Sequence, residues 1–586
     1  MPPFIRRHFW IFGILNLLVW LLAACGEPTV VRETLVSSVI SDPKTFNPYL
    51  QAESSSREVT AYLQAGLTRL NPDTLLPEPE LAEKWEVFDE GLRYVFTLKS
   101  GLRWSDGYPL TMEDVDFTFN QIIFNEKIPT SSRDVQRIGE SGTLPTVTLL
   151  NESQIEFILP EPFAPFLIQA GASIVPKHIF LPTLEQVDEQ GNPLFLKSWG
   201  IDTPVHQLIS AGPYIIAEYT PGQRVVYRAN SHYWKKGSQG ELLPKIRRLV
   251  IRIVDSQDTA LLQFRSGETD SYSVRGSDFQ LLKREEDRDQ FTIYNLGSTL
   301  NNNFISFNQS KARDPKSGKP FVDPIKSQWF NDIFFRRAVA YAMHKQGYVD
   351  SVQQGLGEPQ DSVISPASPF HLSRQDGLLV YDYDPQKARD LLLSAGYRYD
   401  NNQRLRDPQD HLVRFTLNTN SGNNQREATG SLIKSDLDQI GITVDFVPIA
   451  FNKLVEITDQ RAWEAIILAF GGGGTEPNNG SNIWRSTGRL HLWNLGDLPD
   501  SRAEGVEVTE WEQEIDRIFN QGTRELEFAK RKILYDRFQV IIQEQLPLIG
   551  TFNPLVLDAI RNRLEGVDPR PILGSLWNLD EIILAN

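Results

Sequence analysis

Hydrophobic and polar residues alternate in the first part of the chain, and the pattern changes towards helical spacing further on. At 35–40 and 94–98 the apolar side chains follow the two-residue period of a strand. From about residue 384 helix-like and strand-like segments take turns. In order, they lie at 384–396, 413–418, 427–440, 442–449 and 465–470. Such alternation predicts an α/β layer with a largely parallel sheet, after an earlier half that is richer in strands and loops.

Several helix ends carry recognisable capping residues. Thr111 and Asp114 have the spacing of a capping box. Asp384 followed by proline predicts a helix start, and Gly396 predicts its end. Asn331 or Asp332 is expected to begin another helix. Together these positions predict helices on either side of the strands.

The N-terminal sequence has the pattern of an export signal. Basic residues precede the apolar stretch 9–22, which is shorter than the roughly 20 residues that span a bilayer. The following residues, Leu-Ala-Ala-Cys-Gly, resemble a bacterial lipobox that ends at Cys25. We therefore expect a signal peptide at 1–24, lipid on Cys25, a tether at 25–33 and a membrane-anchored protein outside the cytoplasm. The alternative is an ordinary signal peptide or signal anchor with an incidental cysteine.

Composition narrows the function. The net charge is −16, which argues against a general nucleic-acid binder, because such proteins need clustered Lys and Arg. Cys25 is the only cysteine, so no internal disulfide can form, and the stability must come from the hydrophobic cores. The 586 residues suffice for about two to four domains of the usual size. An extracytoplasmic location makes ATP- or NAD-dependent chemistry improbable, and we expect no cofactor.

Motifs for catalysis are missing from the sequence. No two of the eight histidines have the i, i+4 spacing of a helical zinc site. A G-x-S-x-G elbow is absent. The glycines at 471–474 lack the Lys-Ser/Thr of a phosphate loop, and Glu476 stands where G-x-G-x-x-G needs its third glycine. These absences favour a binding protein over an enzyme.

The segment FGGGGTEPNN, residues 470–479, is the most unusual short stretch. Four glycines directly after an apolar strand would let another group approach the backbone closely. Trp484 and Trp493 follow in an Asn- and Gly-rich segment. Aromatic rings near such backbone suit an organic ligand, although each tryptophan could equally pack the interior.

Further motifs resemble the family 5 extracellular solute-binding proteins, the oligopeptide-, dipeptide- and nickel-binding components of ABC importers. The similarity covers essentially the whole mature chain. Its most specific segments are LAEKWEV at 81–87, GLRWSDG at 101–107, VPKH at 175–178, FFRRAVAYA at 334–342 and YDPQKA at 383–388.

The resemblance implies an α/β, two-lobed periplasmic-binding-protein fold of type II, in the large peptide-binding subclass, with a hinge and an interlobe cleft. Lobe one would comprise 34–300 with a C-terminal return at 548–586, and lobe two 301–547. Ligand contacts with both lobes would favour the closed state. An ABC permease would then recognise that state. We expect the protein to act as a monomer.

The resemblance also implies a set of ligand-binding residues. In peptide-binding members, an Asp in the loop after the strand that ends here at Phe470 pairs with the ligand's α-amino group, and it aligns with Gly473. The expected anion is therefore missing, so Glu476 or another carboxylate substitutes, or the ligand has no free amine there. The predicted site residues are Phe46, Asn47, Phe470, Gly471, Gly472, Gly473, Gly474, Glu476, Asn479, Trp484 and Trp493.

Peptide capture is the favoured function. The alternatives are the same role for an oligosaccharide, an opine or a metallophore-bound metal, and, from other classes, an anchored hydrolase or a chaperone. Dispersed histidines argue against a bare metal ion.

Overall fold

A computed structural model of the protein describes residues 33–51, 53–139, 141–471, 475–498 and 501–585. The predicted signal peptide, Cys25 and Gly472 to Gly474 lie outside these residues. The described strands, β1 to β23, are Thr34–Val39, Thr68–Leu70, Pro77–Pro79, Ala82–Phe88, Arg93–Leu98, Thr146–Asn151, Gln154–Ile158, Tyr214–Thr220, Arg224–Ala229, Arg248–Ile253, Ser271–Ser273, Phe291–Ser298, Asn302–Phe307, Gly357–Pro359, Arg398–Tyr399, Leu405–Arg406, Arg414–Asn420, Thr443–Ile449, Ala465–Phe470, Leu548–Gly550, Phe552–Arg561, Leu564–Glu565 and Ile583–Leu584.

Helices cover the sheets and connect their strands. The described α-helices, α1 to α16, are Ser54–Thr60, Met112–Asp116, Ser131–Asp134, Phe166–Gln169, Lys177–Glu185, Gln257–Arg265, Gly276–Glu285, Pro324–Asn331, Ile333–Ala342, Lys345–Val352, Pro385–Ser394, Asn424–Gln439, Phe451–Asp459, Ser481–Trp484, Glu510–Arg524 and Phe528–Gln545.

The first lobe is built around two sheets, with strand orders β1-β10-β9-β8 and β4-β5-β7-β6. Strand β1 runs parallel to β10, and the other neighbouring strands in these two sheets are antiparallel. A continuous core of aromatic and aliphatic residues packs beneath both, with Phe96, Phe157 and Phe166 in mutual contact. The capping box predicted at Thr111 and Asp114 is confirmed at the start of α2.

The second lobe is built around one sheet with the order β18-β17-β19-β13-β20. Strands β18, β17 and β19 are parallel, as their alternation with helices predicts. Strand β13 runs antiparallel to both of its neighbours, β19 and β20. The sheet is therefore mixed, because β13 and β20 come from outside the regular α/β alternation. Asp384 caps α11 by accepting from the Lys387 amide at 2.9 Å, and Gly396 ends that region with φ +88°.

A smaller sheet, β11-β21-β12, lies where the chain passes between the lobes, and β14 pairs with β21. The chain passes from this sheet to the second-lobe sheet between β12 and β13. It returns between β20, which still pairs in the second-lobe sheet, and β21. The two crossings are neighbours, because β12 pairs with β21. In the part of the chain that the structure describes, no helix is long and apolar enough to cross a bilayer.

Candidate functional site

The glycine segment begins where β19 ends in the middle of the second-lobe sheet. Phe470 is buried against Phe304, with 4.9 Å between ring centroids. Gly471 is exposed, and a β-carbon placed on it would meet no atom within 4 Å. The backbone at Gly471 is therefore open among the described residues, and ligand contact at Phe470 or Gly471 stays a prediction. The predictions on Gly472, Gly473 and Gly474 are untested, because these residues lie outside the described part.

Glu476 is held by a cation of its own lobe. Its Oε1 atom lies 2.5 Å from Arg531 Nη2, and both side chains are buried. Although burial alone would lower the pKa of Arg531, the charge and hydrogen bond of Glu476 raise it. Oε1 also accepts from the Asn478 amide at 3.3 Å, which caps the turn Pro477–Gly480. Glu476 is therefore neutralised before any ligand arrives, and its role as an ammonium partner stays a prediction.

The last two residues of the segment, Asn478 and Asn479, bridge the lobes. Asn478 Nδ2 donates to the Val135 carbonyl at 3.1 Å, and Asn479 Oδ1 accepts from Gln169 Nε2 at 2.8 Å. Gln136, buried next to Val135, donates to the Gln169 carbonyl at 3.2 Å. We call this contact the lobe seam. Its first-lobe side consists of residues 133–137 and Gln169, and its second-lobe side consists of residues 475–489. The seam includes the second half of the segment at 470–479.

Both predicted tryptophans lie in the second-lobe core. Trp484 packs edge-on against Phe538 with 5.0 Å between centroids, and Trp493 is fully buried and donates to Glu512 at 3.0 Å. Trp484 and Pro477 also line a small cavity of about 30 Å³ near Leu300. Space of that size holds about two water molecules, and ligand contact by Trp484 or Trp493 stays a prediction.

Phe46 and Asn47 have their partners within the first lobe. Phe46 is buried and contacts Tyr219 edge-to-face at 5.2 Å. Asn47 Nδ2 donates to Ser198 Oγ at 3.1 Å, and its Oδ1 accepts from the Tyr49 amide at 3.0 Å. These bonds fix the turn after β1 and leave ligand contact by either residue as a prediction.

The seam residues of the first lobe are the ones that sequence reasoning missed. Val135, Gln136 and Gln169 belong to no recognisable motif, and Gln169 is separated from Asn479 by 310 positions. No local sequence pattern predicts such a contact, because Asn and Gln side chains are common on all protein surfaces.

A larger cavity of about 660 Å³ lies within the first lobe, away from the seam. Its walls include Tyr62, Glu80, Tyr233, Trp577 and Asp580. Burial raises the pKa of Glu80 to about 7.

Among the described residues, no group of three or more His, Cys, Asp or Glu side chains could hold a metal ion.

Comparison with known sequences identifies the family of this chain and a relative that aligns with it over almost its full length. Residues 77–490 match the sequence profile described as bacterial extracellular solute-binding proteins, family 5 Middle. The chain is 26% identical to a probable ABC transporter-binding protein of Deinococcus radiodurans, over 93% of this chain and 90% of that protein.

Solved structures share the fold. The oligopeptide-binding protein AppA of Bacillus subtilis, in complex with a nonapeptide, superposes with a TM-score of 0.76 at 21% identity, covering 94% of this chain and 99% of that one. The periplasmic binding protein MelB of Agrobacterium fabrum, in complex with stachyose, gives 0.80 at 18% identity, covering 94% and 84%. The predicted two-lobed α/β fold of periplasmic binding proteins is therefore confirmed.

Proposed function

Because the chain belongs to the family 5 bacterial extracellular solute-binding proteins, the substrate-binding components of ABC importers, we propose that it captures peptides between its two lobes and delivers them to a membrane permease. The proposal includes a division of the lobes between residues 300 and 301, and it includes a monomeric state of the protein.

The lobe seam is the observation that carries the proposal. Asn478 and Asn479 contact the first lobe a few residues after Gly471, so a contact between the lobes and an exposed glycine lie in one short segment. A peptide enclosed there would contribute contacts to both lobes only in the closed state. Its binding would therefore shift the population towards closure.

An oligosaccharide is the second candidate. The seam is rich in side-chain amides, and Glu476 is occupied by Arg531. Amides pair with hydroxyl groups and need no charged partner. The similarity of fold to the stachyose complex adds weight to this alternative.

Native mass spectrometry of the purified protein, followed by release of bound molecules in acid, separates these candidates. We expect a mixture of short peptides. A homogeneous sugar would replace the peptide assignment with the second candidate. Hydrolysis of a test substrate by the protein would contradict a role in binding alone.

Lipid anchoring is the remaining part of the proposal, and it concerns Cys25. A Cys25→Ser variant is expected to move from the membrane fraction to the soluble extract, because it lacks the thiol that would carry the acyl chains. Intact-mass measurement of the wild-type N-terminus checks the cause. A mature N-terminus without a lipid adduct would contradict it.

A further inference from the structure

The two lobes meet at a second place, which includes none of the residues 470–479. The Ala164 amide of the first lobe donates to the Thr523 carbonyl of the second lobe at 2.8 Å. Beside this bond, Glu161 Oε2 forms an ion pair with Arg524 Nη2. We call these four residues the latch. Its first-lobe side follows β7, and its second-lobe side is the C-terminal end of α15.

The two sides of the latch are anchored in different hydrophobic cores. Phe163, next to Ala164, is buried in the first-lobe core. Phe519, one turn before Thr523 in α15, is buried in the core that packs against β13 and β19 of the second lobe. Each side is therefore fixed to its own lobe, and the latch has to break when the lobes move apart at this edge.

The latch and the lobe seam hold one short stretch of the first lobe between them. Ala164 precedes α4 by two residues, and Gln169 is the last residue of that helix. Gln169 donates to Asn479 across the seam at 2.8 Å. Groups of the second lobe therefore hold both ends of the stretch 164–169 when the lobes are together.

A second-lobe side chain connects the latch with the segment at 470–479. Arg531 Nε donates to the carbonyl of Gly522, which directly precedes Thr523, at 2.8 Å. The same guanidinium group pairs with Glu476. The second-lobe side of the latch therefore keeps a fixed position relative to that segment.

The ion pair of the latch is partly shielded from water. Glu161 is 21% exposed, and its Oε1 atom is buried without a hydrogen-bond partner among the described residues. Gly139 leaves room for the pair, because a β-carbon there would lie 2.7 Å from Glu161 Oε1 and 3.3 Å from Arg524 Nη2. Arg524 is 44% exposed, so screening by water limits the strength of the pair.

We propose that the latch holds the lobes together without any contact to a ligand, so that the empty protein is closed for part of the time. This inference goes beyond the proposed function, because it concerns the protein before a ligand binds. Every contact of the latch is made by the chain itself, so its contribution to closure is the same for every ligand. A ligand then has to supply less differential binding free energy to complete the closure.

Single-molecule fluorescence energy transfer in the empty protein measures the closed fraction. Since Cys25 is the only cysteine, a Cys25→Ser chain with Glu83→Cys and Ser435→Cys carries one dye on an exposed residue of each lobe. Partial unfolding and refolding strips bound molecules before labelling. Arg524→Gln and Glu161→Gln should each lower the ratio of closed to open molecules by about two- to fivefold, as expected for a partly exposed ion pair.

Two further variants separate the latch from a general effect of charge. The double variant of Glu161→Gln and Arg524→Gln should match either single variant, because both changes remove the same interaction. Arg517→Gln, which alters an exposed arginine earlier in α15, should leave the ratio unchanged.

Three results would overturn the latch. They are a wild-type protein that is only open when empty, an unchanged ratio in Arg524→Gln, and single effects that add in the double variant. Because no ligand is present, each of these results is independent of what the protein captures. Failure of peptide capture would be seen separately, in the molecules that native mass spectrometry releases.

Discussion

Replacing Arg531 by methionine should lower the free energy of unfolding by about 3–5 kcal/mol, because it leaves a buried carboxylate without its cation. The carboxylate is that of Glu476, which is 4% exposed and lies 2.5 Å from the guanidinium. Arg531 also donates from Nε to the Gly522 carbonyl at 2.8 Å, so the substitution leaves a second acceptor unpaired. Urea unfolding at neutral pH measures the loss.

Two further variants show whether the ion pair is responsible. Lys530→Met alters the preceding residue of α16, which is exposed, and should change stability by less than about 0.5 kcal/mol. Arg531→Met combined with Glu476→Gln should recover part of the loss, because the buried charge is then gone while the cap on Asn478 keeps an acceptor. A loss below about 1 kcal/mol for Arg531→Met alone would mean that Glu476 has another cation or access to water.

Replacing Glu512 by alanine should also lower the free energy of unfolding by about 3–5 kcal/mol, because this buried carboxylate is the acceptor for several donors. It accepts from His491 Nε2 at 3.0 Å, from Trp493 Nε1 at 3.0 Å and from the amide and hydroxyl of Thr509, both at 2.8 Å. His491 is fully buried, and its Nδ1 atom faces the Ile483 carbonyl at 3.0 Å. The imidazole of His491 is therefore held at both of its ring nitrogens, one of them by Glu512.

The Glu512 network also predicts a pH dependence. Although burial alone would raise the pKa of Glu512, hydrogen bonds from His491 and Thr509 hold it below its ordinary value of 4.5. A carboxylate with a depressed pKa adds stability above its unfolded pKa and loses it as the pH falls. Wild-type protein should therefore lose stability below about pH 4.5 more steeply than Glu512→Gln.

Urea unfolding from pH 7 to pH 3 measures both predictions for Glu512. The control is Glu510→Gln, two residues earlier in α15, where the carboxylate is exposed. Glu510→Gln should follow the wild-type curve. Identical pH curves for wild type and Glu512→Gln would contradict the assigned role of this carboxylate.

Local sequence signals predicted much of the fold. Side chains that cap their own helix act within three residues, so Thr111 with Asp114, and Asp384 with its proline, could be read directly. The parallel strands β17, β18 and β19 followed from their alternation with helices. The antiparallel pairing of β13 and β20 did not, because it depends on chain crossings between the lobes rather than on local periodicity.

The candidate site was less accessible to sequence reasoning. The sequence pointed to the segment at 470–479 and to the missing anion at Gly473. The partners of that segment are far away in sequence, since Glu476 pairs with Arg531 and Asn479 with Gln169. Nothing near these residues specifies the pairing, which arises only when two helices or two lobes meet.

The central claim is that ligand is held between the lobes and draws them together. Small-angle X-ray scattering of the protein, first stripped of bound molecules by partial unfolding and refolding, measures this most directly. Addition of the molecule that native mass spectrometry identifies should reduce the radius of gyration, and Asn479→Ala should weaken that response by removing a bond across the seam. An unchanged radius of gyration at saturating, calorimetrically verified occupancy would contradict capture by closure of the lobes.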